Sequence, residues 1–216
     1  MKKFFLALIV FILLQCALPV FADDFQDGLD AAAQGDFTTA YEKWEPLARR
    51  GSALAQFNLG LMYDKGEGVK RNYRKAVKWY KLAAKQGIAS AQFNLGTLYS
   101  KGKGVRQSFK KARMFYQRAA KQGNSSAQFN LGLMYDIGEG VPPDYKRAIK
   151  WYRLAAQQNN SQAQFNLGQF YESGERVTQD YKKAIKWYKL AAGNNNELAQ
   201  FKLGSLFEKG KGDVKN

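Results

Sequence analysis

The hexapeptide AQFNLG occupies residues 55–60, returns unchanged at 91–96, 127–132 and 163–168, and comes once more, as AQFKLG, at 199–204. Successive copies begin 36 residues apart with no insertion. One supersecondary unit is therefore written into the chain five times, and any fold must respect that period. A repeat array buries its core by stacking neighbours and leaves a long surface open, so binding is its natural work.

Working outward from the first copy, Ala55, Leu59, Met62 and Tyr63 recur at helical spacing and define the buried stripe of a helix A. Gly66-Glu67-Gly68-Val69 then ends that helix, with GKGV at 102–105 and GEGV at 138–141 in the same slot. The fourth copy departs, placing Arg176 at the second glycine position. A capping series, Asn72, Ser108, Asp144 and Asp180, opens a helix B, because these side chains accept hydrogen bonds from first-turn amides. Its buried face is Tyr73, Ala76, Val77, Tyr80, Ala83 and Ala84, and Trp79, Phe115, Trp151 and Trp187 read as further core residues. Gly87 and Gly123 stop helix B, and Asn159 and Asn195 replace them, Asn being the next residue most tolerant of the left-handed conformation. Gly60, Gly96, Gly132 and Gly168 sit inside helix A, where Gly costs about 1 kcal/mol relative to Ala. A cost repeated in every copy points to close approach between helices.

Before the first AQFNLG, residues 24–34 form a short helical stretch, and Asp36 caps a helix from Phe37 to Arg50 that matches the back half of the repeat. The expected organisation is a partial N-terminal unit at 24–51, repeats at 53–88, 89–124, 125–160 and 161–196, and a polar capping helix at 197–209.

Between Ala55 and Gly193 the chain follows the pattern AxxxLGxxYxxGxGVxxDYxKAxxWYxxAAxxG in full or nearly so. In this it resembles the Sel1-like repeat family. The tetratricopeptide alternative has a 34-residue period and lacks the two-glycine loop. The resemblance implies an all-α fold, a right-handed superhelical α/α solenoid of 36-residue helix pairs, and a role as adaptor or scaffold. Bacterial proteins of this kind are commonly exported and serve envelope signalling, exopolysaccharide systems or host contact. The family supplies no catalytic residues to carry over.

Residues 1–22 read as a secretory signal: Lys2 and Lys3, an apolar run from Phe4 to Leu14, and small residues at Val20 and Ala22. Cleavage after Ala22 and a periplasmic or secreted location are expected. The single cysteine, Cys16, falls within that segment, and the sequence holds no histidine. The mature chain would then have no thiolate nucleophile, histidine base or ordinary zinc, copper or haem ligand, which argues against an enzyme and against a cofactor. With 34 Lys and Arg against 18 Asp and Glu, net +16, the chain favours acidic partners. Export makes anionic glycan, lipid or protein surfaces the first candidates, and no nucleic acid is expected.

Two surfaces are candidate sites. Phe57, Phe93, Phe129 and Phe165 lie on the side of helix A away from the Ala55 and Leu59 stripe, beside the varying Leu61, Thr97, Leu133 and Gln169. Fixed aromatics beside variable neighbours suggest a concave face that binds a protein or peptide. On helix B, Lys78, Lys150 and Lys186 form one basic row, with Lys81, Arg153 and Lys189 one turn on, an alternative track for anionic polysaccharide or lipid. Ser108 with Lys111 matches SxxK but belongs to the capping series, and the acidic pairs Asp64 with Glu67, Asp136 with Glu139 and Glu172 with Glu175 are too few for calcium and read as solvated surface.

Overall fold

A computed structural model describes residues 24–211, so the signal segment, with its cleavage site and Cys16, lies outside the described residues. Two compact units divide the chain, Met1–Gln107 and Ser108–Asn216. Among the described residues every regular element is an α-helix. The first unit holds α1 (24–33), α2 (Phe37–Arg49), α3 (Ala53–Lys65), α4 (Tyr73–Lys85) and α5 (Ala89–Lys101). The second holds α6 (Phe109–Lys121), α7 (Ser125–Ile137), α8 (Tyr145–Gln157), α9 (Ser161–Ser173), α10 (Tyr181–Gly193) and α11 (Glu197–Glu208). Odd-numbered helices are A, even-numbered helices are B, and the pairs recur every 36 residues as expected of an α-solenoid.

The expected caps form. Asn72, Ser108, Asp144 and Asp180 accept hydrogen bonds from the amides of Lys75, Lys111, Arg147 and Lys183 at 2.9 to 3.3 Å. Asn159 and Asn195 adopt φ 60°, the left-handed turn that glycine makes after the earlier B helices. Each A helix turns its Ala and Leu toward the B helices, and Ala55, Leu59, Ala127, Leu131, Ala163 and Leu167 are all buried. Alanines on helix B (Ala76, Ala83, Ala148, Ala155) are buried against them, letting the helices close up.

The tryptophans are a correction. Trp79, Trp151 and Trp187, and Phe115 with them, are only half-buried. The aromatic at the centre of each pair is the following residue, Tyr80, Tyr152 or Tyr188, with no exposed surface at all. This also explains the mid-helix glycine: a Cβ on Gly60, Gly132 or Gly168 would stand 2.4 to 2.7 Å from the ring of Tyr80, Tyr152 or Tyr188. The close approach inferred from the repeated glycine is that of a tyrosine wedge from helix B.

α1 and α2 repeat the arrangement with a shorter connection. Trp44 takes the tyrosine's place, Phe25 lies against it at 6.2 Å, and a Cβ on Gly28 would meet its Nε1 at 2.4 Å. Phe25 and Gly28 thus do for Trp44 what Phe57 and Gly60 do for Tyr80, across a loop four residues shorter. The Trp44 indole N–H donates to the Phe25 carbonyl at 3.2 Å, and Lys43 pairs with Asp24 and Asp27 at 2.9 and 2.8 Å.

Candidate interaction surface

Within the folded units, the Ala, Gln, Phe, Leu and Gly of the AQFNLG motif are absorbed by packing, and its Asn stands at the edge of the open surface. Ala and Leu fill the core. The Gln is buried and clamps helix ends: the side-chain amides of Gln56, Gln92, Gln128 and Gln164 donate to the carbonyls of Ala48, Ala84, Ala120 and Ala156, the last turn of the preceding B helix. Each of those carbonyls also accepts the amide of the residue three on, Gly51, Gly87, Gly123 or Asn159, so the clamp adds a second bond at the helix end and ties it to the next helix A. The same Gln oxygens accept from Gln86, Gln158 and Asn194 of the following B helix at 2.8 to 3.0 Å. Phe57, Phe129 and Phe165 lie against Tyr80, Tyr152 and Tyr188 at 5.6 to 6.0 Å between ring centres. The Asn of the next copy reaches the same tyrosine, Asn94 donating to the Tyr80 hydroxyl at 3.1 Å. Gly leaves room for the ring.

Each tyrosine hydroxyl in turn donates to an acid of its own A helix: Tyr80 to Asp64 at 3.2 Å, Tyr152 to Asp136 at 3.3 Å, Tyr188 to Glu172 at 2.5 Å. Burial, with the neighbouring carboxylate, drives all three phenols far above the ordinary tyrosine range. These acids were expected on solvated surface; the first member of each pair is instead tied into the core. Asp136 goes furthest. Its side chain is 11% exposed and faces Arg176 at 3.2 Å, and burial raises its pKa. Arg176, whose guanidinium lies over Phe170 and Tyr145 at 4.8 and 4.7 Å, is the residue that broke the two-glycine pattern. At Gly140 in the preceding loop, φ is 72° and a Cβ would strike that of Phe109 at 2.4 Å, so arginine cannot follow the glycine path. The fourth loop departs and sends its guanidinium inward to the acid.

What remains open on helix A is a line at i, i+4, i+7 and i+11. In α3 it is Leu54, Asn58, Leu61 and Lys65; in α5, Ser90, Asn94, Thr97 and Lys101; in α7, Ser126, Asn130, Leu133 and Ile137; in α9, Gln162, Asn166, Gln169 and Ser173. Leu61, Thr97 and Leu133 lie on this line half-buried, and Gln169 lies on it exposed. Phe57, Phe93, Phe129 and Phe165 are half-buried, and Phe57, Phe129 and Phe165 lie against Tyr80, Tyr152 and Tyr188, so they form the rim of the line. Sequence reasoning missed the two apolar residues that stand furthest out on this line in α3 to α9, Leu54 at 52% and Ile137 at 60% exposure. Variation between copies could have found them: position 54 reads Leu, Ser, Ser, Gln and position 65 reads Lys, Lys, Ile, Ser. Two clefts open along the line, one of about 160 Å³ beside Asn58, Leu61 and Lys65, the other of about 320 Å³ beside Gln169, Glu172, Lys202 and Lys209.

On helix B, Lys78, Lys81, Lys150, Arg153, Lys186 and Lys189 are all exposed. Arg153 donates to the Tyr171 hydroxyl at 2.9 Å, and Lys189 lies over Phe207 at 5.9 Å. α6 interrupts both rows with Met114 and Gln117. Ser108 is occupied as a helix cap. Among the described residues no three His, Cys, Asp or Glu side chains converge as metal ligands, and no helix is long and apolar enough to cross a membrane.

Comparison with known proteins places this geometry. None of the curated proteins matches the chain. A crystal structure of a Sel1 repeat protein from Oxalobacter formigenes is 36% identical, covering 90% of this chain and 81% of its own, with TM-score 0.82. A protective antigen of uropathogenic Escherichia coli strains, displaying an SLR fold, is 33% identical over 88% of this chain with TM-score 0.79; the match spans 42% of that protein's length. The Sel1 repeat family model matches residues 53–88, 89–124, 125–160, 161–196 and 198–216. Five consecutive matches on a stack of 36-residue helix pairs mean that the chain belongs to the Sel1 repeat family, whose members generally act as protein-interaction scaffolds.

Proposed function

We propose that this chain is an exported, non-catalytic scaffold that holds a protein or peptide partner on the open line of its A helices. The observation that carries the reading is the division of labour along helix A. Most positions shared by the copies are spent on packing, while the line left open keeps only its Asn and otherwise changes from copy to copy, putting Leu54 and Ile137 into solvent. Isolated apolar side chains at a surface need no explanation; a pair on one line of one helix, Leu54 with Leu61 in α3 and Leu133 with Ile137 in α7, with a cleft beside the α3 pair, fits a surface shaped for a partner within each unit. The test is a pull-down from envelope extract with residues 23–216, beside the triple variant Leu54→Glu, Leu133→Glu, Ile137→Glu. A protein held through a high-salt wash by the parent and lost by the variant supports the proposal; equal capture by both overturns it.

A second reading, binding of anionic glycan or lipid through Lys78, Lys81, Lys150, Arg153, Lys186 and Lys189, is favoured by the exposure of all six. The break at Met114 and Gln117 leaves it a weaker track for a continuous polyanion. Salt-sensitive capture of glycan or lipid, lost on neutralising the six, would select it. Periplasmic or secreted location rests on the signal-like residues 1–22.

A further inference from the structure

One core position of helix B is filled out of type. Five residues after the cap, α4, α8 and α10 carry Val77, Ile149 and Ile185, all buried, while α6 carries Arg113. Arg113 is half-buried, and its Nε is buried without a hydrogen-bond partner. Among the described residues Asp136 Oδ1 and Arg176 Nε share that condition, but they face each other at 3.2 Å. Arg113 has no such acid: its guanidinium makes no hydrogen bond or ion pair with any described residue. A charge drawn into apolar packing without a partner is costly, so an arginine in a slot that its counterparts fill with Val or Ile calls for a ligand.

Arg113 lines a cleft of about 400 Å³ in the second unit, together with Tyr135, Val141, Pro142, Pro143, Asp144 and Arg147. Two further features mark this copy. Pro142-Pro143 stands where the other loops have Lys70-Arg71, Arg106-Gln107 and Thr178-Gln179, so φ is fixed along this wall. The Tyr135 hydroxyl bonds to no described residue, whereas that of Tyr63 meets Tyr41 at 3.2 Å and that of Tyr171 accepts from Arg153 at 2.9 Å. Arg147 is already committed: its Nε pairs with Asp144 at 3.1 Å, and its guanidinium lies over the Tyr135 ring at 5.5 Å. The lining therefore carries one positive charge that no acid balances.

We infer that Arg113 anchors a binding site for a single carboxylate, borne by a free organic acid or by an acidic side chain of a bound protein. A carboxylate matches the planar guanidinium fork, and the Tyr135 hydroxyl is an unused donor in the same lining. Val141 and the two prolines offer apolar surface to the carbon chain behind it. One unbalanced cation suits a monoanion, where a doubly charged phosphate would bring one charge too many. Partial burial strengthens the pairing, because less water competes for it. None of the lining residues is on the open line of helix A or among the six basic residues of helix B, so the site goes beyond both readings above and fails or stands separately from them.

The test follows the Arg113 Nε–H resonance in heteronuclear NMR spectra of residues 23–216, titrated at constant ionic strength with butyrate and with the blocked peptide acetyl-Ala-Glu-Ala-amide. A saturable shift of that resonance, and of the Tyr135 and Val141 backbone amides, is expected. Arg113→Ile should weaken binding at least tenfold, read from the two amides. Its melting curve should match or exceed the parent's, because isoleucine is the residue of α8 and α10 at this position, which separates loss of binding from loss of structure. Arg113→Lys keeps the charge and loses the fork, so it should bind butyrate several-fold more weakly. A peptide at least tenfold tighter than butyrate assigns the site to a protein partner, and one no tighter assigns it to a free acid; either upholds the carboxylate. Absence of a saturable shift, the same shift on adding sodium chloride, tighter binding of inorganic phosphate than of butyrate, or binding unchanged in Arg113→Ile overturns the inference.

Discussion

Replacing Tyr152 by alanine should cost this protein about 4 to 5 kcal/mol, and replacing its neighbour Trp151 only about 1 to 2.5. Tyr152 has no exposed surface, lies 5.7 and 5.9 Å from the rings of Phe129 and Phe170, and fills a slot opened by the missing side chain of Gly132. Aromatic-to-alanine changes in cores cost about 3 to 5 kcal/mol, more where the surroundings cannot close the cavity. A glycine opposite has no side chain with which to close it. Removal also takes the hydroxyl from Asp136, leaving that carboxylate to Arg176 alone. Trp151 is half-buried, so less of its surface returns to water, which sets the lower figure. Tyr152→Phe isolates the hydroxyl and should cost about 1 to 2 kcal/mol, near the figure for a hydrogen bond to a charged group. Guanidinium melts followed by circular dichroism give the three values, with slopes compared, because an array can lose one pair before the rest. If Trp151→Ala costs as much as Tyr152→Ala, the tyrosine wedge is not the keystone of the pair and the reasoning fails.

Asn159→Ala should destabilise by about 1 kcal/mol while Asn159→Gly is neutral or stabilising, since φ is 60° there; thermal melts that rank alanine above glycine would contradict the left-handed turn. Gln128→Ala should cost about 1 to 3 kcal/mol by removing the buried bond to the Ala120 carbonyl and the oxygen that accepts from Gln158, whereas Gln200→Ala, at an exposed position, should be close to silent; equal effects in denaturant melts would refute the clamp. Burial raises the Asp136 pKa above its ordinary 3.8, so the folded state holds that proton to higher pH than the unfolded chain, and the stabilisation is complete below 3.8 and lost as pH rises through the folded value. Stability of the parent minus that of Asp136→Asn should therefore fall as pH rises above 3.8, and a rising difference would show the carboxylate to be better solvated than its surroundings imply. N-terminal sequencing of exported protein should begin at Asp23, and recovery of the full-length chain in membranes would refute cleavage.

The period, the helix boundaries and the caps could be read without coordinates because each rests on local chemistry. A 36-residue repeat needs no distance information, an Asn, Ser or Asp cap acts on amides three residues away, and Asn in place of Gly announces a left-handed turn wherever it sits. The Phe series and the Trp series were harder, because a helical wheel tells which residues share a side but not how deep that side lies. Phe57 and Leu61 share a flank on the wheel, yet the phenylalanine is drawn down to Tyr80 while the open line runs through Leu54 and Lys65. Trp151 and Tyr152 are adjacent and both aromatic; only the neighbouring helix, with Gly132 opposite one of them, decides which is the wedge. The acids at 64, 136 and 172 looked like surface because their partner, a tyrosine hydroxyl sixteen residues on, is reached only when the loop folds back. Arg176 was visible as a break in pattern, but its purpose needed Asp136, forty residues earlier, to be brought alongside. Periodicity and capping are properties of neighbours in sequence and survive in the string of letters; depth, wedge and ion pair are properties of neighbours in space, and exist only once the helices have stacked.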